Sequence, residues 1–188
     1  MKHNPPGVTV ATCVCYAASA ASLLAGMICY KGWGSTPLLA AVLLLIIALL
    51  CRSTLLLGAG ALIRTVISLY ALVEDQGIYA GFLPNLVMLL RVCAAFAASA
   101  LLLAMALSKR RAVCFGYMSG GCALLSLLLY FHGWLVPAAQ RTSPQSVDAV
   151  GVALHLAAIL GSIFASYARR EMPPFRAAWR RFFAGEKE

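Results

Sequence analysis

Long apolar runs separated by short polar stretches make up most of the chain, and the longest run decides how the others are interpreted. It extends from Pro37 to Val73 and contains only two charged residues, Arg52 and Arg64. As a single helix it would be about 55 Å long, whereas the hydrocarbon core of a bilayer is about 30 Å thick. Because helix tilts rarely exceed about 40°, one straight span would push apolar residues into water. The length of the run therefore favours a helical hairpin.

We predict that this hairpin turns near residues 51–54. Thr36 can cap the first helix, and Ser53 or Thr54 can cap the second. Arg52 then lies at the headgroup surface, where a charged side chain costs little. The turn lacks the Gly, Asn or Pro that usually marks a tight reversal, so one long helix remains the alternative.

The other apolar runs have the length and composition of membrane spans. With the hairpin, the sequence predicts an all-α polytopic membrane bundle of six transmembrane helices, and with one long helix it predicts five. Residues 1–170 form the bundle in this prediction, and residues 171–188 form a basic amphipathic tail. The predicted spans are residues 8–30, 36–51, 54–73, 85–107, 113–136 and 149–168.

The composition supports a membrane protein and argues against a nucleic-acid partner. The chain is 62% hydrophobic and only 11% charged, whereas soluble domains carry about 25% charged residues. Its net charge of +9 comes largely from basic residues at the ends of apolar segments, which is the ordinary signature of membrane orientation. The seven cysteines include no Cys-x-x-Cys pair, so neither a redox motif nor a metal site is predicted.

The basic clusters also predict which side of the membrane each end faces. Residues 109–111 and the pair Arg169-Arg170 belong on the cytoplasmic side, and the two spans between them satisfy both. Counting back places the N-terminus and Arg52 on the same side and the loop after Glu74 outside. We therefore expect both termini to be cytoplasmic and the protein to reside in a bacterial inner membrane.

Arg64 is the sharpest indication of function. It lies about 15 Å from either surface of the membrane, too deep to reach the interface, and burying it costs at least about 2.5–3.5 kcal/mol. The acidic residues all lie outside the spans: Glu74, Asp75, Asp148, Glu171, Glu186 and Glu188. Hydroxyls, backbone carbonyls, water, another subunit or an anionic ligand are left as partners. We expect the Arg64 side chain to face the interior of the bundle.

Arg91, His132 and His155 are further candidates for the same site. They fall in the outer half of the predicted bundle and, with Arg64, could line an electropositive cavity for a carboxylate or phosphate group. The structural alternatives are snorkelling of Arg91 and His132 and a hydrogen-bonded core role for His155. The two histidines also permit a haem or metal hypothesis, but no motif supports it, and the cofactor stays unknown.

An enzymatic function is disfavoured by the same distribution of residues. The spans contain no acid that could act as a base or an acid catalyst. Ser119 and His155 fall near opposite surfaces of the predicted bundle, so they could not exchange a proton.

The tail after Arg170 has the pattern of an interfacial amphipathic helix. Its apolar residues recur on one helical face, and basic residues occupy the positions around that face. The apolar positions are Phe175, Trp179, Phe182 and Phe183, and the basic positions are Arg176, Arg180 and Arg181. We expect this helix to lie along anionic headgroups, with a membrane or cytoplasmic partner subunit as the alternative.

The resulting hypothesis is a small integral membrane protein that binds or transports an anionic or amphiphilic small molecule. It would act alone or as the membrane substrate-binding subunit of a transporter. The alternative is a non-transporting scaffold, or a quinone or haem anchor subunit of a larger complex.

Overall fold

Six long helices account for most of the residues that the computed structural model describes, which are 6–30, 33–74, 82–135 and 149–184. They are α1 (Pro6–Tyr30), α2 (Thr36–Leu50), α3 (Thr54–Glu74), α4 (Phe82–Leu107), α5 (Ala112–Leu135) and α6 (Ala149–Glu171). A 3₁₀ turn (Trp33–Ser35) precedes α2, and a shorter helix, α7 (Phe175–Ala184), follows α6. All six long helices are long and apolar enough to cross a membrane, if α2 is counted together with the turn that precedes it. The protein is therefore an all-α integral membrane bundle, as predicted.

The six helices form a ring in chain order. Each helix packs against the ones before and after it, and α1 closes the ring against α6. Since successive spans run in opposite directions, the α2–α3 and α4–α5 turns lie at the same end of the bundle as the last turn of α6. This end carries the exposed residues Arg52, Lys109, Arg110, Arg111 and Arg170, and we call it the basic end.

The predicted hairpin is confirmed, and its turn explains how it forms without glycine. The Ser53 amide donates to the Ala48 carbonyl at 2.9 Å, and the Arg52 amide donates to the Leu49 carbonyl at 3.3 Å. These two bonds define a Schellman motif, which needs a left-handed residue directly after the helix. Arg52 occupies that position with a φ of 48°. An arginine thus adopts the backbone conformation that glycine usually supplies.

Helix boundaries depart from the prediction by a few residues for local reasons. Helix α4 begins at Phe82, three residues before the predicted start, because a helix tolerates Pro84 in its first turn. The N-cap residue of α2 is Ser35 and not Thr36, and it makes no side-chain cap hydrogen bond. The Thr36 hydroxyl instead donates to the Trp33 carbonyl at 2.6 Å.

Ser53 caps α3 as one of the two predicted candidates. The Leu56 amide donates to Ser53 Oγ at 3.5 Å, which is a long hydrogen bond. The other candidate, Thr54, is fully buried, and its hydroxyl has no hydrogen-bond partner among the described residues.

Glycines allow the last helices to approach closely. A Cβ at Gly116 in α5 would lie 2.3 Å from the Cβ of Ser166 in α6. A Cβ at Gly161 would lie 3.1 Å from the Tyr16 ring, where α6 meets α1. Small residues at such contacts let helix backbones pack directly in lipid, where no hydrophobic force drives helices together.

A tightly packed apolar core fills the half of the bundle nearer the basic end. It includes Leu45 and Leu49 from α2, Leu57 from α3, and Leu102 and Met105 from α4, each no more than 1% exposed. These side chains belong to one continuous cluster of buried residues. The bundle is therefore closed at the basic end, and we call this half the sealed half.

Candidate functional site

A polar cavity of about 160 Å³ lies inside the bundle, bordered by side chains of α2 to α6. Its polar lining consists of Arg64 and Ser68 from α3, Ser99 from α4, Ser126 from α5 and His155 from α6. Alanine and leucine side chains complete the wall. The cavity is thus small and mixed in character, with one arginine, one histidine and three serines in an otherwise apolar lining.

Arg64 borders this cavity and does not lie on the lipid-facing surface. Its side chain is partly accessible and contributes to the lining of this space. Among the described residues, the guanidinium has an electrostatic interaction with Tyr16 but no hydrogen bond or ion pair. The Tyr16 hydroxyl is fully buried and close to Ser162, but it makes no hydrogen bond of ordinary geometry to the described residues. Arg64 therefore borders the cavity without a hydrogen-bond partner among the described residues.

The serines of the cavity are held by backbone carbonyls one turn earlier. Ser68 Oγ donates to the carbonyl of Arg64 at 2.9 Å, and Ser99 Oγ donates to the carbonyl of Ala95 at 3.0 Å. The two hydroxyl oxygens are 3.1 Å apart across the α3–α4 contact. Both therefore stay beside Arg64 with fixed orientations.

His155 borders the same cavity from α6, which lies across the ring of helices from α3. Its Nδ1 donates to the Gly151 carbonyl at 2.7 Å, and its Nε2 is 3.4 Å from Ser126 Oγ. With the proton on Nδ1, the neutral ring presents Nε2 as an acceptor. The carbonyl of the preceding turn thus sets the orientation of the ring that the cavity meets.

Arg91 is connected to the cavity through a residue that the sequence analysis did not identify. Its guanidinium carbon lies 5.2 Å from the centroid of the Tyr130 ring, in a cation–π arrangement. The same ring stacks on His155, with centroids 5.2 Å apart and an angle of 22° between the planes. Arg91 is also close enough to influence His155 electrostatically. The fourth predicted residue, His132, belongs to α5, but its side chain lies outside the described residues.

A second polar layer lies next to the cavity on the side of the sealed half. Ser119 Oγ is 2.7 Å from the Ala98 carbonyl oxygen and 3.2 Å from Ser162 Oγ. Ser162 in turn donates to the Ala158 carbonyl at 2.8 Å. Ser119 and His155 thus have different hydrogen-bond partners among the described residues.

Arg169, at the basic end, is an interior residue, unlike its exposed neighbour Arg170. It is fully buried, and its Nε donates to the Ala106 carbonyl at 3.0 Å. Its Nη1 lies 3.4 Å from the Met172 carbonyl oxygen and 3.3 Å from that of Pro173. The last carbonyls of a helix lack partners within that helix and carry partial negative charge. Arg169 therefore supplies hydrogen-bond donors to backbone carbonyls at the C-terminal end of α4 and in the segment after α6.

The predicted membrane-surface residues form α7, next to the basic end. Arg176, Trp179, Arg180 and Phe182 are exposed, and Phe175 is partly buried; the side chain of Arg181 lies outside the described residues. A Cβ at Gly58 of α3 would lie 3.1 Å from the Phe175 ring. The ring thus packs where α3 has no side chain.

A haem or metal centre does not fit the described part of the site. The cavity is close in size to an engineered cavity of about 150 Å³ that holds benzene, and a porphyrin is several times larger. No group of three metal-ligating side chains occurs within the described ranges.

Comparisons with protein-family models, curated proteins and solved structures found no match. The fold and the site define the class directly: a six-helix integral membrane bundle with a polar cavity in its interior. Its function has to be argued from the chemistry of that cavity.

Proposed function

We propose that this protein binds an anionic small molecule, or the anionic head of an amphiphile, in the cavity that helices α2 to α6 border. The observation that carries the proposal is an interior arginine that lines a cavity and has no acidic partner among the described residues. The proposal includes a role in transport: the protein would carry the bound molecule across the membrane, either alone or together with a partner subunit.

The charge of Arg64 supports an anion more strongly than a neutral ligand. An arginine at mid-depth costs at least about 2.5–3.5 kcal/mol on insertion scales, and a bound anion would offset part of that cost. The planar guanidinium offers paired donors that match a carboxylate or phosphate. Ser68 and Ser99 add polar hydroxyls beside it that would donate to a ligand only by leaving their backbone carbonyls, and His155 adds a third group that gains a donor when protonated.

The size of the cavity limits what it can hold. A space of about 160 Å³ takes a group of roughly benzene size, such as a carboxylate with a short stem or a phosphate. Pockets for whole drug-sized ligands are about 300–1,000 Å³. The apolar part of a larger ligand would therefore extend beyond the cavity, which supports an amphiphile.

The sealed half supports binding from the end opposite the basic end. In the other direction, the side chains of Leu57, Leu102 and Met105 are fully buried. With the basic end cytoplasmic, as the positive-inside rule predicts, the cavity belongs to the outer half of the bundle. We propose an inner-membrane location with both termini in the cytoplasm on the same grounds.

Thermal melting of the purified protein with candidate anions tests the proposal. The probes are inorganic phosphate, octanoate and lysophosphatidic acid, which separate a free anion from an amphiphile. A ligand at 100 times its dissociation constant stabilises a protein by about 2.7 kcal/mol. We expect at least one probe to raise the melting temperature of the wild type but not of Arg64→Leu. Arg64→Lys should respond weakly, because lysine keeps the charge without the planar fork.

Arg110→Leu is the matched control, because it removes an exposed arginine at the basic end. It should respond to the probes as the wild type does. Equal responses in Arg64→Leu and the wild type would show that the probes bind elsewhere and would overturn the proposal.

A further inference from the structure

Helix α7 carries a continuous ladder of aromatic rings. The ring centroids of Phe175 and Trp179 are 6.0 Å apart, those of Trp179 and Phe183 are 4.7 Å apart, and those of Phe182 and Phe183 are 5.3 Å apart. Three of the four rings are more than half exposed: Trp179 at 51%, Phe183 at 66% and Phe182 at 72%. A contiguous apolar surface of this kind marks a site of interaction with a protein or a membrane.

Arginines border this ladder on one side. Arg176 and Arg180 are both exposed, stand one turn apart, and line a surface groove together with Phe175 and Trp179. The groove thus joins aromatic faces to two positive charges. An acyl chain beside a phosphate is complementary to these two components, and basic amphipathic helices bind such surfaces.

The position of α7 relative to the spans decides which partner it meets. Its first residue, Phe175, follows the end of α6 at Glu171 by four positions, and four residues reach at most about 14 Å. Phe175 also packs against α3 at Gly58, and Arg169 binds the Met172 and Pro173 carbonyls just before α7. The helix is therefore held beside the ends of the spans, at the depth of the headgroups.

We propose that α7 binds the anionic lipids of the leaflet at the basic end, independently of any ligand in the cavity. The aromatic ladder lies at the boundary between headgroups and acyl chains, where tryptophan is enriched in membrane proteins. Arg176 and Arg180 bind lipid phosphates. A lipid leaflet surrounds the bundle at this depth on every side, whereas a soluble protein would have to displace it to cover the ladder.

Quenching of Trp179 by brominated lipids tests this in the full-length protein. The background Trp33→Phe, Trp134→Phe leaves Trp179 as the only tryptophan. It is placed in nanodiscs of brominated phosphatidylcholine, either pure or mixed with phosphatidylglycerol. Each basic residue near an anionic leaflet contributes about a fivefold gain in affinity, so Arg176→Gln with Arg180→Gln should weaken docking by about 30-fold. We expect strong quenching of the tryptophan background in nanodiscs that contain phosphatidylglycerol. Quenching should be weaker in each of three other conditions: in pure phosphatidylcholine, in the double variant, and at high salt.

The control removes the same charge from the same end of the bundle through Lys109→Gln with Arg110→Gln. This variant should be quenched as strongly as the tryptophan background, because these residues belong to the α4–α5 turn and not to α7. Equal quenching in both lipids and in both variants would overturn the role of anionic headgroups. Absence of quenching in every lipid would show that the ladder faces a protein or water, and would overturn the proposal as a whole.

Discussion

The two halves of this molecule accommodate an interior arginine in different ways. Both Arg64 and Arg169 belong to membrane-spanning helices, and neither forms an ion pair within the described part of the chain. Arg169 Nε and Nη1 contact backbone carbonyls at the end of α4 and after α6, whereas its buried Nη2 has no partner among the described residues. Within the same residues, Arg64 has no carbonyl partner and borders a cavity whose polar lining includes three serines. Partner geometry, and not burial alone, separates a structural arginine from one that is available to a ligand.

The largest expected effect comes from Arg169. Arg169→Leu leaves the Ala106, Met172 and Pro173 carbonyls without their donor, and hydrogen bonds to charged groups contribute about 1.5–3 kcal/mol each. We expect a loss of about 3 kcal/mol in unfolding free energy, measured by chemical denaturation in detergent. The control, Arg170→Leu, changes an exposed neighbour and should stay within about 0.5 kcal/mol of the wild type. Similar values for the two variants would mean that the carbonyl contacts do not stabilise the fold.

The sealed half and the cavity wall should also respond differently to the same truncation. Leu102 is fully buried in the sealed half, so Leu102→Ala should cost about 2–3 kcal/mol, chiefly through the void that it leaves. Leu154 borders existing space and is only partly buried. Leu154→Ala should therefore cost less than half as much in the same denaturation assay. Equal losses would contradict the contrast between a packed half and an open one.

Arg64 should show the opposite sign to Arg169. Without a ligand, Arg64→Leu removes part of an insertion cost of about 2.5–3.5 kcal/mol, so we expect a gain of about 1–2 kcal/mol in buffer free of anionic probes. The measurement is the same denaturation curve used for Arg169→Leu. A loss close to that of Arg169→Leu would assign Arg64 a structural role and remove the basis of the comparison.

The smallest change in stability should come from the α2–α3 turn at the basic end. Arg52 has a positive φ, which costs a residue with a Cβ about 1 kcal/mol that glycine does not pay. Arg52→Gly should therefore raise stability by about 1 kcal/mol, whereas Arg52→Ala, which removes the charge but keeps the Cβ, should give no gain. A gain in both variants would attribute the effect to the charge and not to the backbone.

Length and hydropathy predict the all-α membrane bundle and favour the hairpin, with one long helix as the alternative. The run containing Arg52 is too long for one straight span, and the structure confirms the hairpin. The turn itself was hard to recognise, because an arginine occupies the left-handed position. Backbone hydrogen bonds of a Schellman motif leave no trace in the side-chain pattern when glycine is absent.

The candidate site was only partly predictable, because spacing does not reveal which face of a helix meets which neighbour. The depth of Arg64 and the absence of acids in the spans indicated an interior position. Ser68, Ser99 and Ser126 sit at mid-span on three helices, but other serines there form the separate Ser119–Ser162 layer. Tyr130 carried no signal, since its role depends on two residues from other helices.

Arg169 shows the limit of reading charge clusters. It stands beside Arg170 at the end of an apolar run, and the pair correctly marks where α6 approaches its end. The positive-inside rule concerns the position of charges along the chain. It contains no information on whether a charge points to water or folds back onto the end of a neighbouring helix.

The closure of the ring between α1 and α6 has a consequence for biogenesis. Neighbours in sequence can pair as soon as each hairpin has been inserted, but α1 finds its second neighbour only when α6 has been made. Until then, Tyr16 lacks the Gly161 surface against which its ring packs. Contacts between residues distant in sequence form slowly, so docking of α6 is the expected last step of assembly. A nascent chain that stops before this step exposes a tyrosine to lipid, which is a feature that a membrane quality-control protease could recognise.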